Sequence, residues 1–160
     1  RDVERSRGLG DVYKRQVLMQ EACDIYELLA EEKRITLRKN FAEAPVFLEA
    51  DPVRLHQALG NLLDNAIKFT PGGGHITVSI LSEPNVVIIE IKDTGVGISE
   101  SDQLRIFERL YRGDKSRSTK GMGLGLSLVQ GVIQSHGADI RVISSPNQGS
   151  TFRIEFLHST

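Results

Sequence analysis

Residues 51–70 constrain the fold more than any other stretch of this chain. Asp51 can cap a helix whose first residue is Pro52, where a missing N–H costs nothing, and Thr70-Pro71-Gly72-Gly73-Gly74 stops that helix abruptly. On a wheel of about 100° per residue, Leu55, Leu59, Leu62, Leu63, Ala66 and Ile67 gather on one side. A stripe of that kind has to be covered by a second layer. The segments that follow supply one. In residues 75–81, Ile76, Val78 and Ile80 alternate with Thr77 and Ser79, the pattern of a strand with one buried face. After a turn at Pro84-Asn85, Val86-Val87-Ile88-Ile89-Glu90-Ile91 reads as a more fully buried strand.

The remaining elements fit the same plan. A helical period runs over residues 17–33, with Leu18, Ala22, Ile25, Leu28 and Leu29 as its apolar stripe. Two short strands are expected at residues 35–39 and 46–50. Residues 98–121 are irregular apart from a helical piece near 104–110. A helix over residues 124–136 places Leu128, Val129, Val132 and Ile133 on one side and stops at Gly137. Alternating strands at 139–144 and 151–157 are joined by Pro146-Asn147-Gln148-Gly149. The expected class is α+β, a two-layer sandwich with a largely antiparallel sheet and helices on one face. Residues 1–16 carry Gly8 and Gly10, are strongly charged and lack an apolar stripe. They are expected to be a tail, a linker or an artefact, leaving 17–158 as the domain.

Composition narrows the function classes. The chain has 160 residues, the size of one domain, with 39% hydrophobic and 26% charged residues and no apolar run long enough to span a membrane. A net charge of −1 gives no global pull toward nucleic acid or lipid, so any anion site must be local. Cys23 stands alone, which excludes an internal disulfide and every Cys-rich zinc pattern and fits a reducing, cytoplasmic setting.

Three local features carry chemistry. Asn61, Asn65 and Lys68, spaced four and three, form a stripe opposite the leucine face. It is either the wet face of an amphipathic helix or a ligand-facing row. Asparagine weakens a helix interior, whereas its amide oxygen suits Mg²⁺ and a lysine one turn on can reach a phosphate. Asp93-Thr94-Gly95-Val96-Gly97 follows a buried strand directly; its glycines let backbone approach a flat ligand, and its carboxylate could accept from the amine of adenine. A capped tight turn is the plainer reading of the same residues. Gly121-Met122-Gly123-Leu124-Gly125-Leu126 precedes an apolar helix, whose N–H groups can hold phosphate oxygens. Between the two glycine clusters lies a long aperiodic segment of the kind that serves as a lid. There Arg105, Arg109, Arg112, Lys115, Arg117 and Lys120 outnumber Glu108 and Asp114, a local anion attractor without the aromatic series of a nucleic-acid module.

In this order the features resemble the catalytic ATP-binding domain of sensor histidine kinases, within the superfamily that includes DNA gyrase B, MutL and chaperone ATPases. Residues 56–70 resemble the N box, 93–97 the first glycine box, 106–112 the F box and 121–126 the second glycine box. The resemblance covers residues 17–157 and implies a mixed sheet under three helices. It implies that Asn65, with Asn61 alongside, holds Mg²⁺, that Lys68 contacts phosphate and that Phe69 packs near the base. Asp93 would hold the adenine amine, with Gly95, Gly97 and Ile98 shaping the pocket. Gly121, Gly123, Leu124, Gly125 and Leu126 would close over the phosphates, with Arg112 reaching the γ-phosphate.

The family's acceptor histidine precedes an acidic residue in a helical hairpin. His56, His75, His136 and His158 precede Gln, Ile, Gly and Ser, so none fits. The implied activity is therefore that of a domain, expected to be monomeric, which binds Mg-ATP and donates the γ-phosphoryl to a histidine on a dimerisation domain absent from this chain, with a response regulator downstream. An anti-sigma-type serine kinase and a non-catalytic docking domain of the same fold are the alternatives. The F box with its basic lid favours the histidine kinase over the first, and the retained Asn65, Asp93 and glycines over the second.

Overall fold

The structure, a computed structural model, describes residues 12–41, 47–108 and 125–157. Its strands are β1 (Val12–Lys14), β2 (Thr36–Phe41), β3 (Phe47–Glu49), β4 (His75–Glu83), β5 (Val86–Asp93), β6 (Asp139–Ser144) and β7 (Ser150–Leu157). The helices are α1 (Arg15–Glu32), α2 (Pro52–Phe69), the single turn α3 (Glu100–Gln103) and α4 (Gly125–Ser135). Helix α2 starts where its sequence requires. The Asp51 carboxylate accepts the Val53 and Arg54 N–H groups at 3.1 and 3.3 Å, and Pro52 opens the first turn.

Five strands form one sheet in the order β2-β4-β5-β7-β6, parallel between β2 and β4 and antiparallel elsewhere. Strands β1 and β3 pair separately. The three longer helices cover one face of the five-stranded sheet: α1 packs on α2 and β2, α2 on β5, and α4 on α2 and β6. Ile76, Val78, Ile80, Val87, Ile89, Ile91, Phe152, Ile154 and Phe156 meet the leucines of α2 and Val129, Val132 and Ile133 of α4 in one core. Each such aliphatic side chain taken fully out of water stabilises the fold by about 1.5–3 kcal/mol. The opposite face is polar, with Arg153 paired to Glu90 and Glu155 and Arg141 to Glu155. Ile88 lies on that face, between Leu81 and Glu155, yet is only 1% exposed; this completes the expected near-continuous burial of β5.

Among the described residues, β1, paired with β3, and the first residues of α1 precede Val17. Two expectations need correction. Helix α1 buries a different face from the expected stripe. Met19, Ala22, Cys23 and Ala30 are buried, whereas Ile25, Leu28 and Leu29 are 55%, 68% and 46% exposed. The buried stripe is the one that carries Tyr26, whose ring lies over Gly60 of α2: a Cβ on Gly60 would stand 3.3 Å from it. Of the helical piece expected near residues 104–110, residues 104–107 are turns and 109–110 lie outside the described residues. The single turn α3 precedes it, where Ser99 accepts the Asp102 N–H. Burial pushes the Cys23 thiol up to about 11, so it stays neutral and unreactive.

Helices α1 and α4 end alike. Ile35 N–H donates to Ala30 O with Arg34 at φ 63°, and Ala138 N–H donates to Ile133 O with Gly137 at φ 71°. Glycine is strain-free in that conformation and arginine is not. Arg34→Gly is therefore expected to stabilise the fold by about 1 kcal/mol. Urea denaturation should show a higher midpoint at unchanged slope; a lower midpoint would refute the expectation.

Candidate functional site

Along β5 the side chains of Val87, Ile89 and Ile91 point into the core, and Asp93 takes the next inward place in that alternation. A carboxylate thus stands where a sheet ordinarily puts an aliphatic group, and only 6% of the residue is exposed. Its burial demands hydrogen bonds. Oδ1 accepts the Gly95 N–H at 2.8 Å and the Ser150 N–H at 3.1 Å. Burial raises the carboxyl above its ordinary range, and the two amides pull it only part of the way back. Oδ2 accepts no hydrogen bond among the described residues. One oxygen is anchored to backbone and the other is open to a ligand.

The loop after Asp93 is held from two sides. Val96 N–H donates to Phe69 O at 3.1 Å, and Asn147 N–H donates to Val96 O at 2.6 Å. A Cβ on Gly95 would overlap the Phe69 carbonyl, and one on Gly97, which sits at φ 76°, would overlap the Ser145 carbonyl. Both glycines are thus required by close backbone approach. Ile98 packs against the core while its N–H donates to Ser144 Oγ at 2.8 Å. The loop is clamped between the end of α2 and the β6–β7 turn.

The end of α2 meets this loop. Phe69, half-buried, touches Gly95 through its carbonyl, and Asn65 lies one turn earlier, about 6 Å along the axis. Asn61 and Asn65 are half-buried, and neither amide has a hydrogen-bond partner among the described residues. Lys68 is exposed and pairs with Asp64 at 3.1 Å. Thr70, at the end of the helix, is wholly buried, and its Oγ1 has no partner. The Phe69 carbonyl, Asp93 and Gly95 thus form one cluster. Gly125 opens α4 with free space where a Cβ would stand, and Leu126 packs against the core. Arg112, Gly121, Gly123 and Leu124 lie outside the described residues, as do Arg109, Lys115, Arg117 and Lys120. Just before the residues left undescribed, Arg105 pairs with Glu108, and Phe107 meets Phe152 edge-on at 6.4 Å.

Ser150 is a site residue that motif reading missed. The inward phase of Phe152, Ile154 and Phe156 extends back to position 150, so a serine there was the available signal. His136 serves structure, and His158 lies outside the described residues. His136 Nε2 accepts the Asp51 N–H at 3.0 Å while Nδ1 lies 2.8 Å from Val132 O, so the Nδ1–H tautomer satisfies both ring nitrogens.

A family model described as histidine kinase-, DNA gyrase B- and HSP90-like ATPase matches residues 50–160. The chain belongs to this ATPase family. Among relatives of this ATPase domain, the adaptive-response sensory kinase SasA of Rippkaea orientalis is 44% identical over 137 residues, covering 85% of this chain and 35% of the relative. Sensor histidine kinase WalK of Bacillus subtilis is 36% identical over 137 residues, covering 83% of this chain and 22% of the relative. The chain thus spans about a third or less of these curated relatives. Among solved structures, a mycobacterial sensor histidine kinase, MprB, superposes with a TM-score of 0.80 at 27% identity, covering 92% of this chain and 97% of that one. The catalytic domain of histidine kinase ThkA gives 0.81 at 27%, covering 92% and 96%. The α+β architecture is that of histidine kinase catalytic domains. No helix among the described residues is long and apolar enough to cross a membrane.

Proposed function

We propose that this ATPase domain is the catalytic part of a two-component sensor histidine kinase, binding Mg-ATP and passing the γ-phosphoryl to a histidine on the parent's dimerisation domain. The observation that carries the reading is the divided carboxylate of Asp93, with Oδ1 anchored by two backbone amides and Oδ2 open beside a loop only glycine can form. Its open oxygen accepts from the exocyclic amine of adenine, while Gly95, Gly97 and Phe69 pack along the ring. The half-buried amides of Asn61 and Asn65 fit a hydrated divalent ion, since they offer hard oxygens and have no protein partner among the described residues. Mg²⁺, when bound, supplies charge neutralisation on the phosphates. Lys68 reaches the phosphates by leaving Asp64. The glycines at 121, 123 and 125 and the lid bases, Arg112 among them, close the site.

This chain does little covalent work in such a transfer. It orients the triphosphate and places positive charge and N–H groups where charge builds up. The nucleophilic histidine comes from the dimerisation domain, and the phosphohistidine then serves a response regulator. The domain is placed in the cytoplasm, where ATP is available, whether or not the parent is anchored in the inner membrane.

Two measurements test this. Calorimetric titration with AMP-PNP should show binding that Mg²⁺ strengthens. Mixing the domain with the parent's histidine-bearing hairpin and γ-labelled ATP should label the hairpin with an acid-labile, base-stable phosphate. Acid-stable label would point to a serine kinase, and absence of nucleotide binding would leave only a docking domain.

A further inference from the structure

The last turn of α2 carries Lys68 and Phe69, and its final carbonyls have no partners within the helix. They find them elsewhere. Lys33 Nζ donates to Ile67 O at 2.7 Å and to Lys68 O at 3.0 Å, and Phe69 O accepts the Val96 N–H. One ammonium thus serves two successive carbonyls at the negative end of the helix dipole, while the third carbonyl ties the helix to the Asp93 loop.

The backbone of Lys33 is itself fixed against the segment that leaves α2. It lies at the end of α1, where its N–H reaches Leu29 O and Ala30 O. The next carbonyl, Arg34 O, accepts the Gly73 N–H, and Thr36 N–H donates to Gly74 O. A Cβ on Gly72 would stand 2.9 Å from Lys33 O, so the two backbones touch. A flexible surface lysine would leave its ammonium free to wander. Here both ends of the side chain are tied to the same corner.

From this geometry we infer that Lys33 is a positioning residue for the nucleotide site. It sets the attitude of the last turn of α2, and through the Phe69–Val96 bond it sets the loop that presents Asp93. The inference rests on the ATP site proposed above. Loss of the ammonium leaves the Ile67 and Lys68 carbonyls to water, loosens the turn, and lets Lys68, Phe69 and the loop shift together. Arginine can replace it, having the same charge and more than one donor.

The test uses the whole chain and titrates it with Mg-AMP-PNP well below the melting point, for the parent, Lys33→Met, Lys33→Gln and Lys33→Arg. Lys33→Met is expected to bind about tenfold more weakly, and Lys33→Arg to within about twofold of the parent. The Gly95 and Val96 amide resonances of nucleotide-free Lys33→Met should move as well. If Met and Gln variants melt earlier but bind like the parent, Lys33 merely stabilises the fold and the inference fails. Should Lys33→Met not fold, Lys33→Gln decides by the same criterion. A parent that does not bind AMP-PNP at all overturns the ATP-site reading and this inference with it, an outcome distinguishable from the first.

Discussion

Asp93→Asn is expected to weaken Mg-AMP-PNP binding by about 10- to 100-fold while leaving the fold intact. The amide oxygen can keep the Oδ1 place, accepting the Gly95 and Ser150 N–H groups as the carboxylate does. The NH₂ then replaces Oδ2 and sets a donor against the donor amine of adenine. Losing a hydrogen bond to a charged acceptor costs about 1.5–3 kcal/mol, which gives that range of affinity. Inorganic triphosphate, which has no base, should bind both proteins alike. Stability should move the other way. Because burial raises the Asp93 carboxyl, the folded state binds its proton more readily than the unfolded state does. The resulting penalty is absent below the ordinary carboxylate pKa and grows as pH rises through the raised one. At neutral pH the variant should therefore be at least as stable as the parent, with its advantage shrinking in acid. Equal nucleotide affinity in the two proteins would remove Asp93 from the site, and an unfolded variant would make it a structural residue.

In the sequence this carboxylate stood out as the start of a glycine turn directly after a buried strand, and the structure adds its inward phase. Val87, Ile89 and Ile91 fix which residues face inward, and Asp93 breaks the pattern on the inward side. The boundaries of α2 were equally legible, because Asp51, Pro52 and the Pro71–Gly74 stop act locally. Helix α1 was less so, since it offers two apolar stripes and composition favours the larger one. The buried stripe is the one whose Tyr26 ring lies over Gly60, a property of the packed pair rather than of either helix. The parallel pairing of β2 with β4 also escapes local pattern, because β3 and α2 lie between them in the chain. The same holds within the site. Ser150 meets Asp93 across 57 positions, and Lys33 meets Ile67 across 34. Periodicity marks the face a residue presents but not the distant group it will find there.

Asn65→Ala should abolish the Mg²⁺-dependent part of nucleotide affinity without harming the fold. Position 65 is inside α2, where alanine is the better helix former by about half a kcal/mol. The asparagine amide has no protein partner among the described residues, so its removal orphans nothing there. A thermal melt should show an unchanged or slightly higher midpoint. Removing a group that holds or orients a metal typically costs about 10- to 100-fold in affinity. Calorimetry with AMP-PNP, run with Mg²⁺ and again with chelator, separates the terms: the parent should show a gap between the two conditions, and the variant should bind in both as the parent does with chelator. Asn61→Ala, one turn farther from Phe69, should narrow the gap less. An Asn65→Ala protein that keeps the full gap would take the ion away from α2, and the amide row would then be the wet face of an ordinary amphipathic helix.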